Sequence, residues 1–126
     1  MKPGMPVRAR RSALVAALTL TPAQVTGPVT PDNPITVTLT GVAPGDFVQI
    51  PFPWFFEPGA DLGTDPYFLT YSGYVGEDGI FEVLAPPEWA IIVLPPNTYV
   101  VESNIFPGGN LNATPVAGPT ATLTVL

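Results

Sequence analysis

Eighteen prolines and twelve glycines are spread through these 126 residues, and their spacing decides what backbone the chain can form. Proline removes an amide donor and clashes with the helical turn before it. After residue 21 no proline-free window carries an apolar period of 3.6, so amphipathic helix is nearly excluded. Between the prolines lie short runs in which apolar and polar residues alternate, bounded by turn residues. Hydrophobic residues make up 46% and charged ones 11%. That is enough apolar surface for a core and too little charge for a disordered chain. The expectation is a single all-β domain, because this length suits one core.

The alternation is clearest over residues 35–40, where Ile35, Val37 and Leu39 share one face and Thr36, Thr38 and Thr40 the other. A half-buried strand requires that pattern. Val42-Ala43-Pro44-Gly45-Asp46 follows, with Pro and Gly at the two central positions of a type II turn. Residues 47–50 (FVQI) read as the partner strand returning from it, stopped by Pro51 and Pro53. Residues 67–75 (YFLTYSGYV) and 79–84 (GIFEVL) flank Gly76-Glu77-Asp78-Gly79, a hairpin signal. Residues 90–94 (AIIVL) form a brief buried strand or a packed crossing. Residues 98–102 and 120–126 add two more strands, and residues 17–25 alternate like a first strand entering a turn. Seven or eight short strands predict an antiparallel β-sandwich over residues 14–126, preceded by a short extended arm at 1–13.

That arm holds every cation of the chain: Lys2, Arg8, Arg10 and Arg11. All ten acidic residues lie beyond it, so the arm carries +4 and the body −10, for a net charge of −6. Folding a core does not require such a division, since charges hardly enter one. Four cations beside so acidic a body make a poor nucleic-acid grip. The apolar run at 13–20 is too short to span a membrane, which takes about 20 apolar residues. Pro3, Gly4 and Pro6 favour an extended peptide, the form that lies in a protein groove or adds to a sheet edge. Lys2, Arg8, Arg10 and Arg11 are therefore partner-binding candidates. Residues 1–23 also fit a secretory signal, with a basic start, an apolar run and small residues before Gln24. A cut after Ala23 would remove the first strand and bare a sheet edge, so retention is expected.

The chain has no histidine and no cysteine. Ser–His and Cys–His nucleophiles, histidine metal sites and disulfides are thereby excluded. Lys2 is the only lysine and lies in the arm, which leaves carboxylates alone for acid–base work. No catalytic residue, metal or cofactor is expected. Glu57, Asp61 and Asp65 recur at spacing four in a glycine-rich stretch, but match no calcium-loop pattern and read as solvated.

Residues 51–59 (PFPWFFEPG) set Trp54, Phe55 and Phe56 between prolines. Side chains alternate along a strand, so three consecutive aromatics cannot all enter a core. The stretch reads either as a loop folded over one end of the sandwich or as a contact patch, where Trp and Phe are favoured anchors. All three aromatics are partner-binding candidates.

Five segments together, LTLTPAQV, ITVTLTGVAPGDFVQI, GEDGIFEVLAPP, NTYVVE and TATLTVL, resemble bacterial and phage immunoglobulin-like domains over residues 17–126. The stretch 52–66 departs from that pattern, being longer and more aromatic than the usual connection. The resemblance implies an immunoglobulin-like sandwich whose relatives serve as spacers, adhesins and virion surface parts. Joined to the charge division, it leads to the expectation of a non-enzymatic structural protein on a tailed-phage virion. This would be a capsid decoration or cement protein, its arm docked on the major capsid protein or another virion subunit. Resemblance to decoration proteins further implies a homo-oligomer, a trimer. Two alternatives remain: a secreted or cell-surface bacterial module with residues 1–23 cleaved, and a polysaccharide-binding module using Trp54 and Trp89.

Overall fold

A computed structural model describes residues 15–56, 67–90 and 92–126. The expected arm at 1–13 and the carboxylates Glu57, Asp61 and Asp65 lie outside the described residues. The described chain is all-β, its strands being β1 (Ala17–Thr21), β2 (Gln24–Val25), β3 (Ile35–Thr40), β4 (Phe47–Phe56), β5 (Tyr67–Tyr74) and β6 (Phe81–Ala85). There follow β7 (Ile92–Val93), β8 (Asn97–Val101), β9 (Asn104–Phe106), β10 (Val116–Ala117) and β11 (Ala121–Val125). These exceed the expected seven or eight because three strands are each broken in the middle. β1 passes into β2 across residues 22–23, β8 into β9 across 102–103, and β10 into β11 across 118–120. The last two breaks meet at Ser103, whose Oγ donates to Pro119 O at 2.7 Å while its carbonyl accepts from Gly118 N at 2.9 Å.

One layer has the order β1-β3-β6, all antiparallel. The other combines β2-β11-β8 with β10-β9-β4-β5, β7 pairing the far end of β4. Because β8 and β9 are one continued strand, the two pieces form a single curved face. The first strand is shared: β1 pairs β3 in one layer, then β2 runs parallel to β11 in the other. Leu18 and Leu20 of β1 face Ile35, Val37 and Leu39 of β3 within one buried cluster that also holds Val48, Ile50, Phe52, Val101, Leu123 and Val125. Each such side chain contributes about 1.5–3 kcal/mol on leaving water. Tyr99 is buried among them, and its hydroxyl donates to Pro95 O at 2.6 Å.

Two expected hairpins are corrected. The turn at residues 43–46 forms as read, with Asp46 N donating to Ala43 O at 3.1 Å and Gly45 at φ +89°. It does not join partner strands, because β3 and β4 lie in opposite layers. The Gly76–Gly79 turn also closes, Gly79 N donating to Gly76 O at 3.0 Å and Asp78 Oδ1 accepting from Ile80 N at 3.1 Å. It too crosses between layers, from β5 to β6. At that crossing the Phe81 ring packs on Gly73, where a Cβ would stand 2.8 Å from Phe81 Cε1.

Pro51 and Pro53 do not end their strand either: β4 continues to Phe56 and pairs β5 from Phe47↔Tyr74 to Trp54↔Tyr67. Alternate amides along a strand point to opposite neighbours, so prolines two apart forfeit donors on one side only. A ladder unbroken through both prolines requires that side to face away from β5. There the ladder to β9 has already ended at Gln49↔Asn104.

If β1 belongs to the core, Leu20→Ala should cost about 2–5 kcal/mol in urea unfolding. Thr19→Ala, on the exposed face of the same strand, should stay within about 0.5 kcal/mol. Equal small losses would refute the packing described for β1.

Candidate functional site

Alternation along β4 decides the fate of the three aromatics. Val48, Ile50, Phe52 and Trp54 share the inward face, and both rings are fully buried, stacked at 4.7 Å with 17° between their planes. The expected patch of Trp54, Phe55 and Phe56 thus loses Trp54 to the core. Phe55 turns the other way, half-buried, 6.5 Å from the Tyr99 ring and in register with Val93. Phe56 closes the strand opposite Ile92. Trp89 lies 75% exposed in the turn before β7, so no platform combines it with Trp54. Lys2, Arg8, Arg10 and Arg11 lie outside the described residues.

Beside Trp54 sits Tyr71, whose ring meets Phe52 edge-on at 6.3 Å. Tyr71 Oη and Trp54 Nε1 are both buried without a hydrogen-bond partner. Burial pushes the Tyr71 phenol well above its ordinary 10.0, because a phenolate there would lose its hydration. The neighbouring Trp54 N–H offsets a little of this rise, although the two groups fall short of hydrogen-bond geometry. This is a structural pair at the edge of the core, with Trp54 inside it and Tyr71 packed against it.

The surface feature of most chemical interest is on the outer face of the second layer. A groove of about 330 Å³ is lined by Pro51 of β4, Phe68 of β5, Val100 of β8 and Glu102 just beyond it. Phe68 is 56% and Val100 60% exposed. Glu102 stands at the break between β8 and β9, where the chain leaves its regular pleat. The groove therefore offers an aromatic ring, an aliphatic wall and one carboxylate. No lysine, arginine or histidine lies among the described residues to neutralise Glu102.

At one end of the sandwich a second cluster forms around Phe47, whose ring meets Tyr74 at 4.9 Å and Phe106 at 5.9 Å, both edge-on. Asp46 Oδ1 accepts from Gly108 N at 2.7 Å and ties the β3–β4 turn to the loop after β9. Among the described residues no three acidic side chains gather as metal ligands. No described helix is long and apolar enough to cross a membrane.

The sequence contained the strands that carry Phe68 and Val100, but not their common face. Outward apolar residues look like inward ones until the layer is known. Compared with known proteins, the chain matches no family model and no curated sequence.

Two spectroscopic outcomes follow from these environments. Trp89→Phe should remove the acrylamide-quenchable emission and leave a blue-shifted, shielded Trp54 signal; residual emission that quenches freely would contradict the burial of Trp54. Folded Tyr71 keeps its proton to a higher pH than the unfolded chain. Its contribution is intact below about pH 10 and drains away as pH rises toward the raised folded value. Tyr71→Phe should flatten that alkaline loss. Parent and variant losing stability with the same slope between about pH 9 and 11.5 would count against it.

Proposed function

We propose that this chain is a non-enzymatic structural protein, an immunoglobulin-like module that docks on a protein shell through its basic N-terminal segment, as a capsid decoration protein does. The observation that carries this is the separation of charge. Every cation precedes residue 12, and an acidic body with none follows. Such a chain meets an acidic protein surface with its arm and holds its body off by repulsion. Many copies on a repeating lattice convert a weak single contact into high occupancy.

The sandwich supports the immunoglobulin-like part of the reading. The Tyr99 hydroxyl reaching back to Pro95 O has the form of the tyrosine corner found near the start of strand F in such domains. The first strand divided between the layers, as β1 and β2, adds to it. Export with removal of residues 1–23 fares worse, since the cut would delete β1 and take Leu18 and Leu20 from the core. Glycan stacking on Trp54 and Trp89 fares worse too, with Trp54 fully buried.

Deleting residues 2–12 leaves every described strand intact and should abolish binding to assembled shells in a co-sedimentation assay. Undiminished occupancy by the shortened chain would remove the arm from this reading.

A further inference from the structure

β5 ends the second layer: it pairs β4 along one side, and among the described residues no strand pairs the other. Val75 shows which amides face that open side. Its N–H donates to Asp46 O at 2.8 Å and its carbonyl accepts from Gly45 N at 3.0 Å. Amide directions alternate along a strand, so Leu69, Tyr71 and Gly73 face β4 as Val75 does. Phe68, Thr70, Ser72 and Tyr74 turn their N–H and C=O groups outward. The prolines agree, since Pro53 and Pro51 stand opposite Phe68 and Thr70 and have no donor to give them. An edge of this length is normally blunted by a charge, a proline or a bulge, and Tyr67–Tyr74 carries none of these. The other layer edges are marked or short. β6 bears Glu82, β10 has two residues, and β1 stops at Pro22, where the chain crosses between layers.

We propose that β5 pairs antiparallel with β5 of a second copy, about a two-fold axis through Tyr71. A two-fold contact needs a strand that complements its own reverse, and β5 does so about this residue. Thr70 and Ser72, both hydroxyl-bearing, flank Tyr71, and Phe68 and Tyr74, both aromatic, lie three residues to either side. In that register Phe68 faces Tyr74 of the other copy and Thr70 faces Ser72. Every outward N–H and C=O from 68 to 74 then finds a partner. Exposed side chains also meet exposed ones. Phe68 is 56% and Tyr74 62% exposed, and opposed aromatics attract across a ladder. Half-buried Tyr71 meets its own equivalent at the axis, on the inner face. A register two residues along sets Phe68 on Ser72 and loses the aromatic pair. Charge selects the same occupant. No charged residue lies between 67 and 75, so a second copy of this acidic chain brings no like charges into opposition here. A basic peptide would find no carboxylate along this edge. The contact closes at two copies, in place of the trimer that the resemblance implies, and uses no residue of the arm.

The chain is free of cysteine, so introduced cysteines report the register without background. Thr70 and Ser72 are both exposed. Full-length Thr70→Cys and Ser72→Cys chains, mixed in equal amounts and oxidised, should give the mixed disulfide. Its yield should exceed either like-with-like dimer about ten-fold, because opposed Cα atoms lie about 5.5 Å apart and diagonal ones about 7–8 Å, beyond disulfide reach. A merely statistical mixture, or no more linkage than a Thr19→Cys chain gives, would overturn the proposal. Sedimentation equilibrium supplies a second reading. Ser72→Pro removes an outward amide that β4 does not use and should raise the dimer dissociation constant about ten-fold. Ser72→Ala keeps that amide and should change the constant less than about three-fold. Thr70→Lys alters only an exposed side chain, blunts the edge as lysine does, and repeats the test where the proline variant fails to fold. A parent chain that stays monomeric, or a constant unmoved by both Ser72→Pro and Thr70→Lys, would refute edge pairing.

Discussion

Val48, Ile50, Phe52 and Trp54 form one continuous inward row along β4, and both layers close against it. β4 is the longest strand, paired to β5 along one side and to β9 and then β7 along the other. Its inner face is fully apolar, and its outer face carries Gln49, Pro51, Pro53 and Phe55. Removing any inward side chain of that row would open a cavity between layers that cannot slide together to fill it. The two prolines cost little there because their missing donors face the side on which β9 no longer pairs.

The absence of cations from the body gives the fold a particular energetic character. No ion pair can form among the described residues, so stability rests on apolar burial and backbone ladders. Exposed ion pairs contribute only about 0–1 kcal/mol each, and a sandwich of this size loses little by having none. What it gains is an acidic surface on which any cation of a partner is unopposed. The same division makes the N-terminal segment chemically foreign to the sandwich that follows it.

Much of the strand content was legible because alternation is a local property. Residues 35–40, 67–74 and 121–125 could be read directly, and so could the two turns, since Pro44-Gly45 and Asp78-Gly79 carry their own conformational preferences. Pairing was not legible. Both turns read as hairpins because a tight turn between apolar strands has the same sequence whether the strands pair or face each other across a core. The hairpin of β9 and β10 has no such signal, being only three and two residues long, with β10 exposed on both faces. At the candidate site, the charge division and the aromatic run at 54–56 were visible from the start. The burial of Trp54 and the groove at Glu102 were not.

The sequence alone determined that the chain is all-β, that its strands have one apolar face, and that its cations stand apart from its body. Those follow from period-two alternation, proline spacing and charge position, none of which needs a partner strand. Tertiary structure alone decided which layer each strand joins, that β4 runs through Pro51 and Pro53, that Trp54 points inward, and that Phe68, Val100 and Glu102 share one outer face. The physical reason is that alternation distinguishes the two sides of a strand but not which side meets the core. That choice is made only when two sheets pack and exclude water from the space between them.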